Sequence, residues 1–572
     1  VTPIESFRSF LPIDNALGFG TADFLELAFA AFLAALALTS QRWIEPQARR
    51  VAPRTAWCML GLAALPVALR LLLLAHHPVP TPDIYDEFGH LLVADTLRHF
   101  RLANPPHPLR QFFETFFVLQ TPTYSSIYPI GQGLLLAFGW TLFGIPWAGV
   151  VLCTGAFCAL VYWMLRAWTT PLWSLIGGLL AAIEFGPLNQ WMNDYWGGML
   201  ASVSGCLVFG ALPRLRAAFR RRDGALLGAG LAIHLLTRPY ESIFLFAAVA
   251  LYFLPFARQP KQLRLLAKAL PAAALQVALA LGITLAQNRQ ITGSWTTLPY
   301  RLSQYQYGVP AALTFQQNVT PHAALTPEQQ MDYRMQRSFH GERTDTLSSF
   351  LLRLEFRVRY YRFFFLAPLY LALPLFFTAV GEWRFRWVLL TCLLFVLGIN
   401  FFPAYQLHYL AACTCLYILI AVTGLRRLGA IEIHGRPAGR AAARIILFLC
   451  AAHFTFWYGA HLFEGSPAAR AALRYETWDA INHGNPQRRI MVNDALARIP
   501  GKLLVFVRYK NPGHIFQEEW VYNHADIDSS RIVWARDLGP EENTKLLHYY
   551  PDRKVLLLQP DERPLKLSPY AD

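Results

Sequence analysis

Ten consecutive residues, Thr81-Pro82-Asp83-Ile84-Tyr85-Asp86-Glu87-Phe88-Gly89-His90, place three carboxylates and a histidine directly after a long apolar run. Acidic groups at the mouth of a membrane span are costly unless they pair, meet water or act on something. One chemistry open to them is general-base catalysis, a carboxylate taking the proton of an acceptor hydroxyl. The plain alternative is a solvated loop and helix start, because Asp86-Glu87 suit the first turn of a helix running through Ala94 and Leu97.

Other polar residues recur at the ends of apolar runs on the same predicted side: Tyr128, Gln132, Asn189, Asn193, Asp194, Tyr195, Arg238, Tyr240, Glu241, Tyr405, His408 and Tyr409. Arg238 and His408 could hold phosphate oxygens. Each has a duller reading. Arg238 could pair with Glu241, His408 and Tyr409 could be interfacial belt residues, and Asp194 could cap the following helix. Asp86, Glu87 and Asp194 could together hold a divalent ion, but no metal or other cofactor is expected. In the tail, His514 and Glu518-Glu519 have near-helical metal spacing and read as solvated surface. Asn318-Val319-Thr320 matches a glycosylation sequon, a weak signal.

The elements that must position these residues are membrane helices. The 572-residue chain is 55% hydrophobic and 15% charged, and apolar runs of spanning length recur along most of it. The runs do not alternate, which excludes a β-barrel reading. The net charge of +15 comes from basic residues clustered in short loops, a positive-inside pattern that calls for no nucleic-acid partner. The eight cysteines lie in or beside apolar runs with no C-x-x-C pair, so neither a disulfide framework nor a cysteine metal site is expected. Residues 1–20 should lie at the membrane surface, and the run 22–39 reads as a retained helix.

Charge parity orients the chain. Arg42, Arg49, Arg50 and Arg54 place the loop before the span 56–75 inside, so the acidic stretch emerges outside. The loop Arg214–Arg222 must again be inside, yet four apolar runs intervene, at 130–144, 147–166, 173–188 and 196–212. One therefore does not cross, and the short, Gly-rich run 130–144 is the candidate. Residues 76–146 then form one external structure with surface helices, and the polar segment 287–358 folds over the external face. Single spans are expected near 361–380 and 387–402, and a last one at 445–462. Beyond 463, the strand-like runs Leu503–Val507, Arg531–Ala535 and Lys554–Leu558, with a helix from Pro540 to Tyr549, predict a small soluble α/β domain with parallel pairing. That tail has no Gly-rich phosphate loop.

The span into Asp86-Glu87, the following surface helix and the Tyr-Pro-x-Gly-x-Gly segment (Tyr128 to Gly133) resemble the GT-C membrane glycosyltransferases. The nearest branches are bacterial families similar to dolichyl-phosphate-mannose protein mannosyltransferases and aminoarabinose transferases. Leu236-Thr237-Arg238-Pro239 and His408-Tyr409-Leu410 are also similar to theirs, and the resemblance covers roughly residues 55–425. It implies a polytopic α-helical, GT-C-like fold of roughly 11–13 transmembrane helices over residues 1–462, with 463–572 as an extracytoplasmic α/β domain. It implies transfer of a sugar from a polyprenyl-phosphate donor to a lipid, glycan or protein acceptor at the outer face of a bacterial inner membrane. Asp86 would be the catalytic base with Glu87 beside it. Arg238, His408, Tyr409, Tyr128, Gln132 and Asp194 would line the substrate or its phosphate. Aminoarabinose transferases carry a lysine where this chain has Ser126-Ile127-Tyr128-Pro129-Ile130, so that phosphate contact does not carry over.

Inversion fits a single base, since one in-line displacement needs no enzyme nucleophile. The rival expectation is a non-catalytic scaffold or subunit of a larger membrane complex, docking through the tail. A transporter would require internal repeats and mid-membrane ion groups, which the sequence does not display.

Overall fold

A computed structural model describes residues 21–473, 481, 486–510 and 519–570. The stretch 1–20 and the residues His514 and Glu518 lie outside the described residues.

Helices α1 (Thr21–Val51) and α2 (Thr55–Leu72) lead through a 3-10 turn, Leu73–Ala75, to α3 (Tyr85–Arg98), which begins in the acidic stretch. The ribbon of β1 (Val118–Leu119) and β2 (Ser125–Ser126) pairs antiparallel and passes the chain to α4 (Ile130–Phe143). There follow α5 (Trp147–Leu165), α6 (Pro171–Glu184), α7 (Met199–Ala218), α8 (Arg221–Thr237) and α9 (Pro239–Phe253). α10 (Pro260–Ala269) meets α11 (Pro271–Thr292) at a 55° bend with a proline at the joint. The polar segment then forms α12 (Pro299–Tyr307), α13 (Pro327–His340) and α14 (Leu347–Val358) before α15 (Trp383–Ile399), α16 (Thr414–Leu428) and α17 (Ala438–Leu462) complete the bundle.

Five helical stretches are long and apolar enough to cross a membrane, at Thr55–Ala75, Trp147–Leu165, Pro239–Arg258, Leu407–Leu428 and Ala438–Leu462. The bent α10–α11 pair makes a sixth if taken as one span. The chain is a multi-pass membrane protein. α4 and α6 are apolar but only 14 residues each, about 21 Å of helix against a hydrocarbon core of about 30 Å. One expected element is corrected: 361–380 is not a single α-helix but three 3-10 runs, Arg359–Phe364, Ala367–Leu371 and Leu373–Ala379. Pro368 and Pro374 each fall at the start of a run, where the missing N–H ends the preceding ladder.

The bundle buries one continuous core in which Phe157, Phe209, Val388, Phe395 and Leu416 are fully enclosed. Two arginines of α7 are tied to aromatic rings. Arg214 lies 4.0 Å over Trp163 and donates to the Trp163 carbonyl at 2.7 Å, and Arg216 lies 4.4 Å over Trp383. All eight cysteines are buried and unpaired.

The tail holds α18 (Pro467–Leu473), α19 (Gln487–Ala497), β3 (Leu503–Val507), β4 (Ile532–Arg536), α20 (Pro540–Tyr549), β5 (Lys554–Gln559) and β6 (Lys566–Pro569). Strand order is β4-β3-β5-β6, with β3 parallel to both neighbours. The three anticipated strands and their helix are present; the unanticipated β6 is a short, partly exposed antiparallel edge with little hydrophobic signal. One face of this sheet does not close on the tail itself. Leu504, Phe506, Val533 and Ala535 share a core with Leu92, Phe112, Phe113 and Val118 from the 76–146 segment.

Candidate active site

The start of α3 is built by Glu87. Its preceding N-cap residue, Ile84, has no side-chain acceptor for the exposed N–H groups of the first turn. Glu87 Oε2 instead accepts the Asp83 and Ile84 N–H groups at 2.7 and 3.3 Å, and Oε1 accepts the Tyr195 N–H at 3.0 Å. This buried carboxylate thus clamps the helix start to the loop after α6. Burial raises it to about 7 despite three backbone donors.

Asp86, one residue earlier, has a different environment. Its Oδ1 accepts the Tyr128 hydroxyl, and it keeps partial surface exposure. Burial raises the carboxyl to about 6, against the opposing pull of the Tyr128 hydrogen bond and the Arg238 charge. At neutral pH it is mostly ionised and more basic than an ordinary aspartate, as a general base requires.

The Tyr128–Gly133 segment has a physical role at each informative position. Tyr128 reaches Asp86, and its carbonyl accepts the Gln287 side-chain amide at 3.1 Å. A Cβ on Gly131 would sit 2.4 Å from Thr237 Oγ1 and 2.8 Å from the Leu236 carbonyl, so only glycine lets α4 touch the end of α8. A Cβ on Gly133 would sit 2.3 Å from Val93 Cγ1 on α3. Gln132 donates to the Tyr195 carbonyl at 2.8 Å. The segment therefore locks α3, the end of α8 and the 189–198 loop together.

Arg238 lies where α8 gives way to α9, immediately after the glycine contact. Its guanidinium lies 5.6 Å from the Tyr409 ring centre, and its buried Nε has no hydrogen-bond partner among the described residues. The anticipated Glu241 pairing does not satisfy this donor. His408 is buried, with its ring 5.0 Å from Trp196 and 4.9 Å from Tyr409. It is within electrostatic reach of Arg238 and His90. His90 stacks obliquely on Tyr128 at 4.3 Å, with Nδ1 unpartnered among the described residues.

Asp194 is structural: it accepts the Trp196 indole N–H at 2.6 Å and the Gly197 N–H at 3.0 Å. It closes a turn rather than capping α7, whose N-cap is Gly198. Burial pushes its carboxyl well up. Among the described residues, Asp86, Glu87 and Asp194 do not form a metal-ligand cluster.

Two further groups join the cluster without a sequence signal. Asp332 on α13 is buried, with Oδ2 unpartnered among the described residues; burial, with a further push from Asp86, raises it to about 7. In the sequence it sits in a polar, amphipathic helix and reads as solvated. Tyr300 on α12 is half-buried and within electrostatic reach of Asp86, Arg238 and Tyr409. Tail residue Tyr522 also roofs the site, stacking on Phe88 at 4.4 Å.

No family profile matches the chain, and no curated protein matches it in sequence. Its structure is similar to ArnT from Cupriavidus metallidurans bound to undecaprenyl phosphate, at TM-score 0.50 and 12% identity, over 88% of this chain and 93% of that one. The apo state of the same ArnT gives TM-score 0.49 at 12% identity, over 89% and 93%. The oligosaccharyltransferase of Archaeoglobus fulgidus in its apo form gives 0.38 at 12% identity, over 88% and 69%. The likeness to that ArnT is one of fold: a polytopic helical bundle with surface elements and a small C-terminal α/β unit.

Proposed function

We propose that this protein is an inverting glycosyltransferase that moves a sugar from a polyprenyl-phosphate donor to a lipid, glycan or protein acceptor at the external face of a bacterial inner membrane. The observation that carries the reading is the nearness of Asp86 to Arg238. A half-buried carboxylate of raised basicity lies within electrostatic reach of an arginine whose buried Nε lacks a partner among the described residues. The likeness to an ArnT bound to undecaprenyl phosphate supports the donor class.

In this mechanism Asp86 takes the acceptor proton as the acceptor atom attacks the anomeric carbon. The bond from that carbon to the phosphate oxygen breaks, and the lipid phosphate leaves with the electron pair. Arg238 meets the growing phosphate charge, with Tyr409 and His408 beside it. Tyr128 orients Asp86, while Glu87, Gln132 and Asp194 hold the frame. The test is Asp86→Asn in purified, folded protein supplied with polyprenyl-phosphate sugars; transfer should fall by about 10²–10⁴-fold. Wild-type rates in that variant would end the assignment.

A scaffold reading has one observation in its favour: the Glu87, Asp194 and Gln132 side chains are committed to backbone groups or local turns. It predicts no Asp86-dependent turnover with any such donor.

A further inference from the structure

A second cluster of chemically able side chains lies apart from Asp86. His77 follows the 3-10 turn after α2, His461 is in the last turn of α17, and Glu464 comes just beyond it. His461 Nδ1 is 2.9 Å from His77 Nε2, which in turn is 3.1 Å from Glu464 Oε2. The two rings meet edge to face at 4.7 Å. Both histidines are buried, whereas the Glu464 side chain is 38% exposed. All three ligand atoms fall within 4.8 Å of one another.

The geometry converges on one nitrogen. His77 Nε2 faces both another imidazole nitrogen and a carboxylate oxygen, yet a neutral ring nitrogen either donates once or accepts once. A tetrahedral ion with bonds near 2.0–2.2 Å holds its ligand atoms about 3.3 Å apart. The two short separations, 2.9 and 3.1 Å, need to open by only a few tenths of an ångström to admit one, and the third pair already lies within 4.8 Å. Two imidazoles and one carboxylate are a donor set suited to zinc and neighbouring divalent transition metals.

The backbone carrying His77 is fixed independently of any ion. Arg70, fully buried, donates to the His77 and Pro78 carbonyls at 2.9 and 3.1 Å and to Asn193 Oδ1 at 2.6 Å. Its positive charge opposes a dication, and Glu464 is the compensating anion on the open side.

We propose that His77, His461 and Glu464 form a divalent transition-metal site of the zinc class, with a fourth position left to water on the Glu464 side. The ion fastens the end of α17, which leads into the tail, to the end of α2, which leads to Asp86. The site stands independently of whether Asp86 is catalytic.

The experiment uses the full chain in detergent or nanodiscs, stripped with a chelator and titrated with zinc alone. The expected result is one zinc per chain by elemental analysis and a raised melting temperature. Glu464→Gln, an exposed change that leaves folding intact, should weaken zinc binding by about 10-fold or more. His461→Gln should abolish it. Cobalt in the wild-type chain decides the matter without a folding-sensitive variant, by an intense four-coordinate visible band that Glu464→Gln weakens. Wild-type protein that takes up no stoichiometric zinc overturns the proposal, as does zinc or cobalt binding unchanged in Glu464→Gln.

Discussion

Adjacent carboxylates at Asp86 and Glu87 divide their work by what surrounds them. Glu87 spends both oxygens on backbone N–H groups, whereas Asp86 faces Tyr128 and the Arg238 charge. Glu87→Gln should therefore lower stability by about 1–3 kcal/mol in denaturant unfolding, while Asp86→Asn acts on rate. The pH sign for Asp86 follows from its rise from 3.8 to about 6. As a base it works ionised, so transfer should climb as pH passes through about 6 and then level off. Its effect on folding runs the other way: the folded state holds this proton more tightly than the unfolded chain. Its contribution to stability is fully present below 3.8 and is lost as pH rises through about 6. Asp332, raised to about 7, behaves likewise over a wider window. Asp332→Asn should raise the melting temperature relative to wild type at pH 8 and lose that advantage near pH 4.

At the scale of elements, the site depends on how closely α4 approaches α3 and α8. Gly131 meets backbone of α8, so the added methyl of Gly131→Ala cannot be absorbed by a side-chain rotation. The expected cost is about 1–3 kcal/mol, and because Arg238 follows the displaced residues, the KM for the donor should rise more than kcat falls. Gly144→Ala is the matching control with no neighbour near the new atom, although its φ of +73° adds backbone strain. Steady-state kinetics in donor concentration, with denaturant melts on the same preparations, separate the two effects.

Across the whole molecule, the tail and the polar segment close over the start of α3 as one structure. Arg536 of β4 pairs with Glu328 of α13 and donates to the Glu114 carbonyl at 3.3 Å. Gln329 donates to Glu114 Oε2 at 2.9 Å. Both partners of the Arg536–Glu328 pair are buried. Arg536→Met leaves an uncompensated carboxylate and should cost about 3–5 kcal/mol, measured by denaturant unfolding. If the tail folded as an appended unit, the same change would melt the tail alone and leave the bundle transition unmoved.

Much of this was legible in the chain. Hydrophobic run lengths exposed the bundle, and β-branched and leucine-rich runs the parallel strands of the tail, because each signal is local and repeats with the period of its element. Asp86, Tyr128, Arg238 and His408 could be singled out because polar groups at the ends of apolar runs carry a cost that needs a reason. The division of labour between Asp86 and Glu87 was not legible, nor were Asp332 and Tyr300, which are far from α3 in sequence and sit in segments of ordinary surface composition. Those assignments depend on which atoms meet after distant segments pack. By itself the sequence determined a polytopic helical membrane protein with a small α/β tail and a list of candidate residues. Tertiary structure decided which carboxylate is a clamp and which keeps an oxygen open to its surroundings, since burial and hydrogen-bond partners are properties of packing and not of order along the chain.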